Sequence, residues 1–286
     1  MKEKIVEYGN EKDLFYFSRM KRSSPVNMAH NHFHSSYELY YLVSGERYYF
    51  IKDKTFQVME KDLVLIKRGD LHKTASSGEL EHERILINFR EGYINPGAED
   101  PDKLLLPFEK DINIIRFTMA EQMELERLLN SIQDELIIRG HLYEVNVQAL
   151  FIQLLVYISR HVKRYGAVKY FRHPSVMHKK VSDIVQYINM NYMESLTLKS
   201  IAKRFNMSPS YLSRVFKRAT GFTLTEYINN VRIKEAQALL LSTDYKVIDI
   251  SAKVGYTNTS HFGRVFREMT GYSPLRFRKY NAHGYE

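Results

Sequence analysis

The 286-residue sequence contains no cysteine. This absence excludes disulfide scaffolds, thiolate zinc fingers, iron–sulfur clusters and cysteine nucleophiles as the basis of its function. The sequence also has no run of about eighteen apolar residues, so it predicts no membrane-spanning helix. Its first residues, MKEKIVEYGNEKDLF, lack the apolar core of a signal peptide. We therefore expect a cytoplasmic protein, with a length that predicts two domains.

Acidic residues are scarce in only one part of the chain. From 178 to 286 there are 17 Lys and Arg against 8 Asp and Glu, whereas the first 177 residues hold 25 of each sign. The formal net charge of +9 therefore belongs entirely to the C-terminal part. A basic domain attracts polyanions because counterions are released, and nucleic acid is the commonest such partner. On charge alone, an anionic membrane surface and a merely solvated basic face stay open as alternatives.

The basic part has helical periodicity, and two of its helices form a helix-turn-helix pattern. Thr197 can cap the short helix LKSIAKRF, and Ser208-Pro209 can start a second helix, PSYLSRVFKRAT, which Gly221 ends. A short helix, a tight turn and a second helix are typical of this motif. The second helix has an apolar face and, opposite it, polar side chains suited to a major groove.

The same pattern returns about fifty residues later. The run SRVFKRATG at 213–221 becomes GRVFREMTG at 263–271, and Asn258 is the predicted cap of the second copy. One such helix alone would be taken for an ordinary amphipathic surface helix, but two matched copies in a basic segment favour DNA. A helix of roughly eighteen residues between the copies would span about 27 Å, so one chain could place them in adjacent major grooves. The outward side chains predicted to contact DNA are Ser210, Ser213, Arg214 and Lys217, then Ser260, Gly263, Arg264 and Arg267.

The neutral N-terminal part predicts a small antiparallel barrel. From 14 to about 117, short β-rich runs alternate with turns. His32, His34, Glu38 and Tyr40 have the same parity, so an extended segment projects them to one face. His72 follows in a second segment. We predict a ligand pocket from these five residues, with Arg47 and Lys67 as further polar candidates. His32, His34, Glu38 and His72 could bind a divalent metal; alternatively, the histidines hydrogen-bond strands or an organic ligand.

Residues 118–166 predict a hairpin of two helices, each with an apolar stripe. Packing against the barrel alone would account for both stripes. The second stripe is wide enough that it could also bury against a second copy in a homodimer. Residues 167–177 are the predicted linker.

The segment 178–280 resembles the DNA-binding domain of the AraC/XylS transcription regulators. The resemblance lies in the runs IA…SPSYLSRVFK…TG at 201–221, EYINNVRIKEAQALL at 226–240 and SHFGRVFR…TGYSP at 260–274. It implies base contacts by Ser210, Ser213 and Arg214 in the first helix, and by Thr259, Ser260, Gly263 and Arg264 in the second. Gly263 replaces the polar residue usual in the family, so the second helix is expected to recognise fewer bases.

The spacing of His32, His34, Glu38 and Gly45 is similar to the first motif of cupins, whose barrels are common sensor domains among these regulators. The second motif, around Gly69 and His72, has lost several of its residues: Lys61, Lys67 and Ser76 replace a glycine, a proline and an asparagine.

We therefore expect an α+β multidomain protein. It would have a cupin-like antiparallel β-barrel at 1–117, a helical connector and dimerisation hairpin at 118–166, a linker at 167–177, and an all-α DNA-binding domain with two helix-turn-helix motifs at 178–286. The resemblance implies a ligand-responsive transcription regulator without enzymatic activity, an activator of a carbohydrate or other catabolic operon. Its expected partners are double-stranded promoter DNA, RNA polymerase and a small-molecule effector, a sugar; no membrane is expected, and no cofactor is required. The alternative from another class is a metal-dependent cupin dioxygenase or isomerase fused to a DNA-binding module.

Overall fold

A computed structural model of the chain describes residues 2–10, 13–23, 36–76, 81–94, 101–110, 113–165 and 175–282. The chain forms two compact units, residues 1–174 and residues 175–286. The first holds antiparallel sheets and four helices, and the second is helical, which confirms the predicted α+β class. No helix in the described part of the chain is long and apolar enough to cross a membrane.

Unit 1 is built on two antiparallel sheets. The larger sheet has the order β1-β2-β8-β3-β6-β9, and the smaller one has the order β5-β4-β7. The strands are β1 (Lys2–Tyr8), β2 (Phe15–Ser23), β3 (Tyr37–Ser44), β4 (Arg47–Ile51), β5 (Lys54–Val58), β6 (Leu63–Ile66), β7 (His72–Ser76), β8 (Glu81–Phe89) and β9 (Ile114–Ile115).

The central strands of the larger sheet are covered on both faces. On one face Tyr40 and Leu42 of β3 pack with Tyr49 and Ile51 of the smaller sheet, which forms the barrel interior. On the other face, side chains of opposite parity pack against four helices. These helices are α1 (Glu91–Ile94), α2 (Pro101–Glu109), α3 (Met119–Ile138) and α4 (Tyr143–Tyr165). The alternation explains why β3 has almost no polar residue: both of its faces are covered.

The predicted hairpin corresponds to α3 and α4, and a capping box between Thr118 and Glu121 starts α3. Its two stripes are buried within unit 1, including Phe151 and Leu154 of the wide second stripe. Because the sheet of the same chain already covers that stripe, its width does not indicate a homodimer. Large exposed apolar side chains lie instead on α3, where Met119, Met123 and Ile137 are more than half exposed.

Unit 2 contains seven helices among its described residues. They are α5 (Val176–Asn191), α6 (Leu198–Arg204), α7 (Pro209–Thr220), α8 (Leu224–Ser242), α9 (Val247–Lys253), α10 (Thr259–Thr270) and α11 (Pro274–Ala282). Helix α5 begins inside the segment predicted as linker, because the Ser175 side chain accepts a hydrogen bond from the backbone N–H of His178 and caps the helix.

The two helix-turn-helix motifs, α6–α7 and α9–α10, repeat in detail. Thr220 donates a hydrogen bond to the Phe216 carbonyl at 2.8 Å, and Thr270 donates one to the Phe266 carbonyl at the same distance. Each turn also contains one residue with positive φ: Asn206 at 52° and Gly255 at 90°. The sequence repeat is therefore also a repeat of local geometry.

Arg232 of α8 joins the two motifs inside unit 2. Its Nε donates to the carbonyl of Tyr192 and its Nη2 to the carbonyl of Glu194, each at 2.8 Å, in the connection before α6. Its guanidinium also lies 5.3 Å from the ring centroid of Tyr256, in the turn of the second motif. The second turn is tight here, since a Cβ on Gly255 would lie 2.8 Å from the Tyr192 carbonyl oxygen. One side chain of the central helix thus contacts the surroundings of both motifs.

The turn between β3 and β4 requires glycine, which gives a test of the barrel. Gly45 has φ of 91°, and a Cβ there would lie 2.6 Å from the carbonyl oxygen of Glu81. We expect Gly45→Ala to lower the free energy of unfolding by about 2–4 kcal/mol through backbone strain and this clash. Urea denaturation measures the change. Gly140→Ala is the matched control, because a Cβ there meets no atom within 4 Å. Equal stability of both variants would contradict the described turn.

Candidate nucleic-acid interface and barrel cavity

The outer faces of α7 and α10 carry the side chains predicted to contact DNA. Helix α7 starts at Pro209 behind the Ser208 cap and ends at Gly221, which has φ of 77°. Its inward side chains, among them Leu212 and Phe216, are fully buried. The predicted residues Ser210, Ser213, Arg214 and Lys217 are all exposed.

The second helix has the same arrangement. Asn258 caps α10 by accepting a hydrogen bond from the backbone N–H of His261, and Gly271 ends it with φ of 79°. Gly263 is half-buried, but a Cβ there would meet no atom within 4 Å, so packing does not require a glycine. The other predicted residues of this helix, Thr259, Ser260, Arg264 and Arg267, are exposed.

The basic side chains of unit 2 are not neutralised by its acidic ones. Among the described residues 175–282, none of the 17 Lys and Arg lies within 4.0 Å of a carboxylate oxygen. In unit 1, by contrast, Arg19 pairs with Glu83 at 2.6 Å and Arg116 with Asp62 at 3.1 Å. The positive charge of unit 2 is therefore available to an external polyanion.

A second candidate site is a small cavity inside the barrel, with a volume of about 40 Å³. Both sheets contribute to its wall. The lining residues are Arg22, Glu38, Tyr40, Arg47, Tyr49, Thr74, His82, Arg84 and Leu86. Of the five predicted pocket residues, Glu38 and Tyr40 line the cavity and His72 contacts Glu38. His32 and His34 lie outside the described residues.

The carboxylate of Glu38 is held by its neighbours. Its Oε1 accepts a hydrogen bond from the hydroxyl of Tyr49 at 2.6 Å, and its Oε2 lies 3.5 Å from Nε2 of His72. Nδ1 of His72 lies 2.8 Å from the carbonyl oxygen of Asp70. Burial, followed by the charge of Glu38, raises the pKa of Tyr49 well above its usual value, so the phenol stays a donor.

The predicted metal ligands are only partly represented. Within the described ranges, no group of three or more His, Asp or Glu side chains has the spacing to hold a metal ion. Glu38 and His72 do approach each other, but Tyr49 already occupies one carboxylate oxygen of Glu38. Of the two further polar candidates, Arg47 lines the cavity, whereas Lys67 pairs with Glu109 and is not among the lining residues.

The pocket prediction missed Arg22, Arg84 and His82. Arg22 and His82 lie opposite each other in the β2–β8 pairing, and Arg84 follows two residues later on the same face of β8. The available signal was parity, because His82 and Arg84 lie on one face of β8 and Ile85 and Ile87 on the other. That alternation favours a solvent-exposed face for them unless a second sheet covers it.

His82 is the most perturbed histidine of this cavity. Burial, together with the positive charges of Arg47, Arg22 and Arg84, lowers its pKa from 6.5 to about 4. The imidazole is therefore neutral at pH 7. It is 4% exposed, and its Nδ1 has no hydrogen-bond partner in the described structure.

This shift predicts acid sensitivity of the barrel. Because the folded-state pKa of His82 lies below its unfolded value, its contribution to stability is complete above pH 6.5 and is lost as pH falls towards 4. We expect a loss of up to about 3 kcal/mol from this residue. Tm measured from pH 7 to pH 4 should fall less steeply in His82→Gln than in the unmodified protein. His141→Gln, at an exposed position, is the matched control. Parallel curves for His82→Gln and the unmodified protein would contradict this assignment.

Comparison with known proteins identifies two matching family models. Residues 24–155 match the AraC-like ligand-binding domain, and residues 201–280 match a helix-turn-helix domain. A bifunctional transcriptional activator and DNA repair enzyme of Bacillus subtilis, AdaA, is 41% identical over 96 residues, which cover 34% of this chain and 46% of that protein. An uncharacterized HTH-type transcriptional regulator of Staphylococcus aureus is 24% identical over 241 residues, which cover 83% of this chain and 31% of that protein.

The chain thus spans less than half the length of these curated relatives. Among solved structures, the C-terminal domain of the response regulator AraT from Geobacillus stearothermophilus is 33% identical. Its match covers 37% of this chain and 89% of that domain, with a TM-score of 0.36.

Proposed function

Because the chain belongs to the AraC/XylS family of transcription regulators, we propose that unit 2 binds promoter DNA in response to a small molecule bound in the barrel of unit 1. The observation that carries this proposal is the duplicated recognition helix in a unit whose 17 Lys and Arg side chains have no carboxylate partner within the described residues 175–282. Charge of this kind favours a polyanion, and two helices with matched polar faces favour duplex DNA.

Each recognition helix would enter a major groove with its polar face. In α7, the guanidinium of Arg214 would recognise a guanine edge, beside the short side chains of Ser210 and Ser213. Lys217 and Arg267 would contact phosphates near the ends of their helices. In α10, Thr259, Ser260 and Arg264 would contact bases, with no side chain contributed by Gly263. The 19-residue helix α8 is about 28 Å long, close to the roughly 34 Å between successive major grooves.

A membrane surface fits these helices less well than DNA. Helices that bind membranes present an apolar face to the bilayer. In α7 and α10, Phe216, Phe262 and Phe266 are instead fully buried within unit 2. The exposed faces of both helices are polar and basic.

Arg214 provides a direct test of base recognition. We expect Arg214→Ala to lower the discrimination between the upstream region of its own gene and a scrambled duplex by about 1–3 kcal/mol, because a bidentate base contact is lost. Fluorescence anisotropy titrations at several salt concentrations measure both affinities. Lys234→Ala removes one exposed charge from α8 and is the matched control, expected to weaken both duplexes equally. If Arg214→Ala and Lys234→Ala lower the discrimination between the two duplexes equally, Arg214 does not recognise a base.

Several finer predictions stay proposals of the same kind. They are activation of a carbohydrate or other catabolic operon, a sugar effector, contact with RNA polymerase, assembly as a homodimer and a cytoplasmic location. If the protein is a dimer, effector binding would change which pair of DNA sites the two copies occupy, and this requires the effector to bind one arrangement more tightly than the other.

The engagement of Glu38 argues against the enzyme alternative. A metal-dependent cupin enzyme would need a stoichiometric ion, held by His32, His34, Glu38 and His72. We expect elemental analysis of the purified protein to find iron, manganese and zinc well below one equivalent, because the Tyr49 hydroxyl already donates to a carboxylate oxygen of Glu38. Stoichiometric metal that is lost in His32→Ala would favour the enzyme instead.

A further inference from the structure

Three arginines meet in the barrel cavity, one from each of three strands. Arg22 lies on β2, Arg47 on β4 and Arg84 on β8, so both sheets contribute. Arg47 is 1% exposed, and the other two are half-buried. Arginine keeps its positive charge in such surroundings, and like charges brought together at this depth repel each other.

The negative charge in the cavity wall does not balance these cations. Glu38 is the only carboxylate among the described lining residues, against three guanidinium groups. Its oxygens face Tyr49 and His72. In the described part of the chain, no carboxylate lies within 4.0 Å of a nitrogen of Arg22 or Arg84. The hydrogen bond of Arg84 is weak, since its Nη2 donates to Sδ of Met20 at 3.6 Å.

Two donors in this wall also lack acceptors. Nε of Arg22 and Nη1 of Arg84 are buried and have no hydrogen-bond partner among the described residues. Buried polar groups in proteins are almost always hydrogen-bonded, because each unsatisfied group costs free energy. A cavity with excess positive charge and unsatisfied donors is chemically complementary to an anion.

We propose that the barrel cavity binds the anionic group of the effector, and that this group is a phosphate monoester of a small metabolite. A dianion, which phosphate monoesters approach at pH 7, matches the charges of Arg22 and Arg84, which have no carboxylate within 4.0 Å in the described part of the chain. Guanidinium groups also match the oxygens of phosphate by paired hydrogen bonds. The volume of about 40 Å³ admits the charged group alone, with the rest of the molecule outside. A phosphorylated sugar has this chemistry. The inference rests on the proposed function in taking this cavity as the effector site.

Isothermal titration of the full chain with simple anions tests the proposal, because inorganic phosphate carries the same charge and oxygens as the proposed group. The probes are inorganic phosphate, acetate and chloride at equal ionic strength, with no DNA present. We expect phosphate to bind more tightly than acetate, and chloride to give no saturable heat. Tighter binding of acetate than of phosphate would indicate a site for carboxylates and would overturn the proposal. The absence of saturable binding by both anions would also overturn it.

Variants locate the binding in the cavity. Arg22→Gln and Arg84→Gln should each weaken phosphate binding by about 10- to 100-fold, the range for loss of a charge-assisted hydrogen bond. Arg84→Lys keeps the charge but loses the paired geometry, so its affinity should lie between those of Arg84→Gln and the unmodified protein. Arg68→Gln removes an exposed arginine of the same unit and should bind phosphate normally. Unchanged affinity in both glutamine variants would overturn the assignment.

Stability in the absence of phosphate distinguishes loss of a site from loss of folding. Because Arg22→Gln removes one of three neighbouring like charges, its Tm without phosphate should not fall, while the rise in Tm on adding phosphate should shrink. A Tm that falls without phosphate, together with an unchanged phosphate-dependent rise, would show a structural role for Arg22 and overturn the proposed contact.

The same preparations titrated with DNA separate this inference from the proposed function. If the protein prefers its promoter but binds no phosphate, only the proposed anion site is overturned. If the protein binds phosphate but shows no preference for any neighbouring promoter, only the proposed regulatory function is overturned. Phosphate binding that changes promoter affinity supports both.

Discussion

The alternation of side chains along β3 and β8 is the constraint on which unit 1 depends. Glu38 and Tyr40 face the cavity, while Leu39 and Tyr41 between and beside them pack towards the helices. On β8, His82 and Arg84 line the cavity and Ile85 faces the helices. Because the central part of each strand is buried on both sides, a shift of register by one residue would disrupt both cores.

The cavity and the helical hairpin are therefore two sides of the same strands. Tyr41, beside the cavity residue Tyr40, donates a hydrogen bond to Glu126 of α3 at 2.7 Å. Arg19 pairs with Glu83, between His82 and Arg84, and also donates to Gln133 of α3 at 3.1 Å. A ligand that shifts β3 or β8 has to shift these contacts too, since packed interiors transmit displacement. The hairpin therefore contacts the strands that line the cavity directly.

Local patterns predicted unit 2 well. Caps and stops lie within a few residues of the helices they bound, so Thr197, Ser208 and Asn258 could be identified in the sequence, and the structure confirms all three. The arginine cluster could not be predicted in the same way. Arg47 was a pocket candidate from the sequence, but Arg22 and Arg84 lie on strands far apart in the chain, so local patterns do not show that they meet it in one cavity. For the wide stripe of α4 the sequence leaves two partners open, the barrel and a second copy, because the sheet that packs against it is distant in sequence.

Arg232 has a consequence for the promoters that such a protein can use. Its contacts to the Tyr192 and Glu194 carbonyls and to the Tyr256 ring connect the surroundings of both recognition helices through one half-buried side chain. When two DNA-binding helices are held at a fixed separation, the substitution of a single base has a limited energetic cost. A change in the spacing between the two half-sites has a much larger one. Inserting about five base pairs between the two half-sites would turn the second one to the opposite side of the duplex. If unit 2 binds DNA as proposed, its operators should therefore vary in sequence during evolution while keeping their length.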